Sequence, residues 1–295
     1  MKQSIALIGP GAIGGTAAAA LLDSGRHDLT ICANRPFDTL TTTRSDNGET
    51  RGHPVKVLTN PRDASPADWV LLAVKSHQTA SAAAWLKATV GPNTKLAILQ
   101  NGVEHREHVA PYIPANTTIV PVVVMLPAER TAPGKITMYG RSILTAPDDD
   151  AGRAFAALFA GTFMRAETDA DFLSRAWEKL CMNVPGGALS ALCNRPDAVA
   201  AVPGVADIAR ALLAEAMAVG RAEGAHLDPS LADTLMGFFA RPNNRGNSMY
   251  YDRRDGKPLE WDARNGVIAR LGKKHGIPTP VSDVIVALLR GLSGG

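Results

Sequence analysis

The segment IALIGPGAIGG, residues 5–15, constrains the chain more than any other. An apolar run at 5–8 passes directly into glycines at 9, 11 and 14 and then into the alanine-rich stretch GGTAAAALLDSG. A strand that ends in G-x-G-x-x-G and opens a helix is the first part of a βαβ unit that binds a dinucleotide. Gly9 makes the tight turn, Gly11 lets a pyrophosphate approach the backbone, and Gly14 lets helix and strand pack closely. The helix start at Ala12 and Ile13 then offers free N–H groups and a positive dipole end to the phosphates.

The pattern continues in the same style. DLTICA, ADWVLLAVK and TKLAILQNG read as buried strands, and TTIVPVVVML and GKITMYGRSILTA as further ones, with ERTAPG turning between them as a hairpin that finishes the sheet. Strands alternating with helices specify a parallel sheet with crossover connections. The acidic APDDDAG at 146–152 resembles a boundary, but the helical pattern of RAFAALFAG follows it, so the boundary is placed near residue 168. From DADFLSRAWEKL onward strand signals vanish and four long segments read as helices. The expected architecture is an α/β N-terminal Rossmann domain, doubly wound with a mostly parallel sheet, over residues 1–168, followed by an all-α C-terminal domain over 169–295.

Composition narrows the partners. With 295 residues, 45% of them hydrophobic, two domains can each bury a core. The net charge of +3 comes from scattered Lys and Arg with no block of like charge, which disfavours nucleic acid and leaves room for a small anion. Cys32, Cys181 and Cys193 show no C-x-x-C spacing, so neither a disulfide framework nor a zinc site is expected, and reduced thiols fit the cytoplasm. His105 and His108 can share a helix face but have no third ligand at a suitable spacing, so no metal is expected. The N-terminus is unlike a signal peptide, and no run of 18 apolar residues offers a membrane span.

Strand ends select the ligand, because open α/β sheets bind at the carboxyl ends of their strands. An NAD enzyme usually has an acidic residue at the end of the second strand, whereas ICANRPFD presents Asn34 and Arg35 there. Arg35 can pair with a 2′-phosphate, which favours NADP (NADPH); Asp38, a little further on, keeps a ribose contact and NAD open. Lys75 in LLAVKSHQ and Asn101 in AILQNG stand at two more strand ends. Further along, RAWEKLCMNVPGGALSALCN places Lys179 and Asn183 one turn apart on a largely apolar helix. Pro185, Gly186 and Gly187 predict that this helix kinks or ends just after Asn183.

These residues resemble the ketopantoate reductase (2-dehydropantoate 2-reductase) family over nearly the whole chain. GPGAIGG, AVKSHQ, QNGV and WEKLCMN carry part of the likeness. The most specific element is NSMYYDRRDGKPLEWDARNG, with Ser248, Asp252, Gly256, Glu260 and Asn265 in the family's spacing. The resemblance implies NADPH-dependent reduction of a 2-keto acid to a D-2-hydroxy acid, as in pantothenate biosynthesis. It makes Lys179 the general acid and Glu260 its partner near the cofactor. It also makes Asn183 and Ser248 substrate ligands, has Asn101 touch both substrate and cofactor, and gives the 2′-phosphate to Lys75 and Arg35. The chemistry is consistent, since hydride arriving at a ketone leaves charge on oxygen that a positioned ammonium can stabilise and protonate. Desolvation would lower the pKa of Lys179 and a nearby carboxylate would raise it. The chain departs from the family pattern at Gly187 and Asp197, where asparagines that serve the substrate are expected, so the reaction is better specified than the 2-keto acid. A β-hydroxyacid dehydrogenase and a non-catalytic NADP-sensing protein are the competing readings. A homodimer is compatible with the helical second domain.

Overall fold

The computed structural model describes residues 2–241 and 245–293. Its contacts divide the chain into two compact units, one of Met1–Gln100 with His105–Phe172 and the other of Asn101–Glu104 with Leu173–Gly295.

The first unit contains β1 (Ser4–Ile8), α1 (Ala12–Ser24), β2 (Asp28–Cys32), β3 (Thr39–Arg44), β4 (Thr50–Pro54), β5 (Lys56–Leu58), β6 (Trp69–Leu72), α2 (Ala83–Thr89) and β7 (Lys95–Ile98). It continues with α3 (His105–Val109), β8 (Thr118–Pro121), β9 (Val123–Met125), β10 (Ala128–Ala132), β11 (Lys135–Met138), β12 (Ile143–Pro147), α4 (Asp150–Leu158) and β13 (Arg165–Asp169). Six strands form a wholly parallel sheet in the order β5-β2-β1-β6-β7-β8. Counted within that sheet the order is third, second, first, fourth, fifth, sixth, the dinucleotide-binding arrangement, and the direction of winding reverses between β1 and β6. β6 is apolar at every position because both faces of the sheet are covered. In α1 the small side chains of Ala17, Ala18, Ala19 and Ala20 are fully buried, and the helix closes at Gly25 in the left-handed region, whose N–H donates to the Leu22 carbonyl.

The hairpin around ERTAPG does not finish this sheet. β10 and β11 instead join β3 and β4 in a separate sheet, in the order β10-β11-β3-β4. The threonine-rich β3 and the polar β4 lack the apolar run that marks a buried strand. A third sheet, β13-β12-β9, includes one more strand without a clear sequence signal, since β13 reads RAETD. Between β12 and β13 the acidic run is the start of α4, where Asp149 caps by accepting the Gly152 N–H at 2.7 Å.

The second unit is helical: α5 (Phe172–Cys193), α6 (Val205–Ala222), α7 (Leu231–Phe239), α8 (Ser248–Arg254), α9 (Val267–His275) and α10 (Pro280–Leu292). A π-helical turn, Asp262–Gly266, precedes α9. Its core joins Trp177, Leu180 and Val184 of α5 to Leu212, Leu213 and Met217 of α6 and to Ile285 and Leu289 of α10. Among the described residues no helix is long and apolar enough to cross a membrane.

The expected break after Asn183 does not occur: α5 runs unbroken through Pro185. Proline removes the N–H that the Cys181 carbonyl would receive and costs a helix interior about 3 kcal/mol. The carbonyls beside the proline accept side-chain donors. Asn265 Nδ2 donates to the Val184 carbonyl at 2.9 Å, Asn247 Nδ2 to that of Gly186 at 2.8 Å, and Ser190 Oγ to that of Gly187 at 3.1 Å. The glycines allow close approach, since a Cβ at Gly186 would lie 3.0 Å from Phe239 Cε1 and one at Gly187 3.0 Å from Met249 Sδ. Tertiary contacts override local propensity here.

Candidate active site

In the first unit, the turn after β1 has the form that a pyrophosphate requires. Gly9 has φ +91°, and a Cβ on it would lie 2.6 Å from Val74 Cγ1 and 2.8 Å from the Val74 nitrogen. A Cβ at Gly14 would lie 2.3 Å from the Gly9 carbonyl oxygen and 2.9 Å from Ala73 Cβ, so the helix can approach the sheet only with glycine there. Gly11 differs, because its Cβ would meet nothing within 4 Å and the space beside that backbone is open. Gly11 caps α1 without a side-chain bond, so the amides of Ala12, Ile13 and Gly14 have no intrahelical acceptor and are available to an anion. The residues present therefore fit a dinucleotide phosphate group. Arg35 is exposed just beyond β2. Lys75 follows β6, and the Gln100 amide donates to its carbonyl at 3.4 Å, to that of Val74 at 3.1 Å and to Thr79 Oγ1 at 2.9 Å, tying two strand ends together.

The second unit gathers the other predicted residues. Asn101 bridges two of them: its Oδ1 accepts from Lys179 Nζ at 3.1 Å and its Nδ2 donates to Glu260 Oε2 at 3.3 Å. Two contacts hold the short segment carrying Asn101. Gly102, at φ +105°, brings its backbone against the π-helical turn, where a Cβ would lie 3.0 Å from the Ala263 carbonyl oxygen. Beyond it Glu104 accepts from Arg270 at 2.6 Å, and Arg270 also pairs with Asp262 of that turn at 2.5 Å. Asn183 lies one turn along α5 from Lys179 and is partly buried.

The electrostatics at Lys179 answer the question left by the sequence. Burial is the largest influence and pushes its pKa from an ordinary value near 10.5 down to about 7; the Arg264 guanidinium adds to the fall, and Glu260 opposes it. Desolvation therefore outweighs the carboxylate.

Ser248 begins α8, and its hydroxyl accepts from Arg264 Nη2 at 2.7 Å. Asn247 caps this helix, accepting from the amides of Met249 and Tyr250. Its own amide and backbone N–H donate to Asp197 Oδ1 at 2.6 and 3.1 Å. Asp197 thus steadies the entry to Ser248, and burial raises its pKa although Asn247 and the Arg264 charge oppose the rise. The sequence reading missed Arg264 and Asn247. The signal for the first was an arginine four residues after Glu260 and directly before Asn265, inside the segment that carries the family likeness; for the second it was an asparagine directly before Ser248.

His105 is buried, with Nε2 at 3.1 Å from the Gln100 carbonyl, which gives it a local structural role. Among the described residues no group of three His, Cys, Asp or Glu side chains is placed to hold a metal ion.

Known proteins resemble both units. The family model "Ketopantoate reductase PanE/ApbA" matches residues 5–149, and "Ketopantoate reductase PanE/ApbA C terminal" matches 171–293. A 2-dehydropantoate 2-reductase of Caulobacter vibrioides is 44% identical over 289 residues, covering 97% of this chain and 98% of that protein. A PanE/ApbA family ketopantoate reductase from Ralstonia eutropha superposes with a TM-score of 0.89 at 29% identity, over 98% of each chain. A dimeric ketopantoate reductase from Staphylococcus aureus gives 0.87 at 27% identity, again over 98% of each.

Proposed function

This chain belongs to the ketopantoate reductase family, and from that premise we propose that it reduces 2-dehydropantoate to pantoate with NADPH. The family and the glycine cradle make the cofactor a nicotinamide dinucleotide. The observation that carries the reading is the Lys179–Asn101–Glu260 chain of hydrogen bonds around an ammonium whose pKa lies at about 7.

Reduction of a 2-keto acid replaces the carbonyl π bond with one C–H and one O–H bond. A bound nicotinamide supplies the hydride, so the protein must supply a proton to the oxygen. Lys179 does this from Nζ: charged, it stabilises the developing alkoxide, and with a pKa near neutrality it releases the proton readily. Asn101 accepts one ammonium N–H and fixes its direction, while Glu260, which receives the other end of that amide, keeps Asn101 from rotating. Asn183 and Ser248 are the substrate ligands in this reading. Gly9, Gly11, Ala12, Ile13 and Gly14 receive the pyrophosphate, and Arg35 with Lys75 receives the 2′-phosphate. The reading extends to a homodimer, on the precedent of the dimeric Staphylococcus aureus relative, and to the cytoplasm, where the three free cysteines would stay reduced.

The test is NADPH and NADH oxidation, side by side, against 2-dehydropantoate and a panel of branched and aromatic 2-keto acids. Turnover of 2-dehydropantoate with NADPH preferred is expected. Absence of turnover on every 2-keto acid would remove the assignment, and equal use of NADH would remove the roles of Arg35 and Lys75.

A further inference from the structure

Arg264 lies among the largest fully enclosed side chains of the described residues, and the reaction described above gives it no contact with substrate or cofactor. It sits in the π-helical turn Asp262–Gly266 with 2% of its surface exposed. Such turns displace side chains from the ordinary helical register and recur at functional sites. Burying a guanidinium is costly unless its donors are used. Here they are only partly used: Nη2 donates to Ser248 Oγ at 2.7 Å and stands 3.5 Å from Glu260 Oε2, while Nε has no hydrogen-bond partner among the described residues. An arginine serving only to neutralise Glu260 would be expected to bond it more closely.

The room for this side chain comes from Gly187. A Cβ there would lie 3.3 Å from Arg264 Nη1 and 3.8 Å from Cδ, so a side chain at 187 would crowd the guanidinium and require it to give by a few tenths of an ångström. Ser248 is exposed, and its oxygen already accepts from the buried guanidinium, so its own O–H is left to donate outward. A hydroxyl polarised from behind by a fixed positive charge is a good donor to an anion and a poor partner for a cation.

We propose that Arg264 is the specificity-determining cation for the substrate's carboxylate, acting through Ser248 as a positioning residue in the space that Gly187 leaves open. The inference rests on the 2-keto acid reductase reading. It makes the enzyme select acids over their uncharged derivatives by a charge held out of water, where salt screens it little.

The deciding quantity is the ratio of kcat/KM for 2-dehydropantoate to that for its methyl ester, measured with NADPH. The wild type is expected to prefer the acid. Arg264→Met and Arg264→Gln are each expected to lower that preference by about 10- to 100-fold, the range for a charge-assisted hydrogen bond, chiefly through KM for the acid. Arg264→Lys, which keeps the charge, is expected to retain most of it. In Ser248→Ala the preference also falls, and adding Arg264→Met to that variant lowers it little further. A purely structural arginine would lower the melting temperature of its variants and leave the ratio unchanged. An active Met or Gln variant with the wild-type ratio overturns the inference alone; Gln decides should Met fail to fold. A wild-type protein that reduces no 2-keto acid overturns the function and the inference together.

Discussion

An ammonium removed from water holds its proton less tightly, and at Lys179 that effect has a direction that kinetics can read. With a pKa of about 7, the proposed proton donor is lost as pH rises, so reduction is expected to slow through neutrality. Glu260→Gln removes an influence that raises this pKa and is expected to move the falling limb of the pH–rate profile to lower pH. Arg264→Met removes one that lowers it and is expected to move the limb upward; displacements of the opposite sense would contradict the assigned electrostatics. Lys179→Ala is expected to cut turnover at least about a hundredfold, the scale of general acid catalysis, with little change in the NADPH dissociation constant. The same burial also affects folding. Between about 7 and 10.5 the unfolded chain carries a proton on this lysine that the folded one does not, so its contribution makes the protein more stable as pH rises across that window. Lys179, Asn101 and Glu260 could be singled out as candidates from sequence because each lies in a recognisable string of residues, and their side chains do meet. Arg264 was not, because its significance depends on the absence of a side chain at Gly187, a relation that exists only after folding.

At the level of the element, α5 and the start of α8 depend on each other. Pro185 leaves α5 locally weak, and Asn247 serves both helices: it caps α8 and donates to the Gly186 carbonyl, to Ser190 Oγ and to Asp197. Asn247→Ala is therefore expected to remove a cap and several part-buried hydrogen bonds at once, destabilising the fold by about 1–3 kcal/mol. Because Ser248 follows the cap directly, KM for the keto acid should also rise. Chemical denaturation and steady-state kinetics on one preparation check both, and a loss of stability with KM unchanged would show that the cap does not position Ser248. Helix periodicity made α5 legible up to Asn183. Its continuation was not, because proline and paired glycines are breakers by local propensity, and the donors from Asn247 and Asn265 that bond its carbonyls come from distant sequence. At the acidic run before α4 the helical pattern that follows was the better guide than the resemblance to a boundary, since the run caps that helix.

On the scale of the whole chain, most of the parallel sheet was readable because its central strands are buried on both faces and carry apolar runs, as in β6, whereas the three-residue edge strand β5 carries too short a run to mark it. The sheet made by β3, β4, β10 and β11 was not, since polar strands from distant segments pair there and only the fold brings them into register. The same sheet logic places the cradle and Arg35 after neighbouring strands, β1 and β2, and so predicts how the intact protein responds to its cofactor. A ligand at 100 times its dissociation constant stabilises the state that binds it by about 2.7 kcal/mol. With a melting entropy of about 2.1 cal/mol/K per residue over the 295 residues, the midpoint should rise by about 4 °C for a single cooperative transition. NADH at the same concentration, lacking the phosphate that Arg35 and Lys75 would pair, should raise it less. Arg35→Asp replaces an attraction to that phosphate with a repulsion, so NADPH should lose its advantage while NADH keeps its smaller effect through the glycine cradle. Differential scanning calorimetry with both cofactors measures each arm, and equal shifts from NADPH in the wild type and the Arg35→Asp variant would place the 2′-phosphate elsewhere.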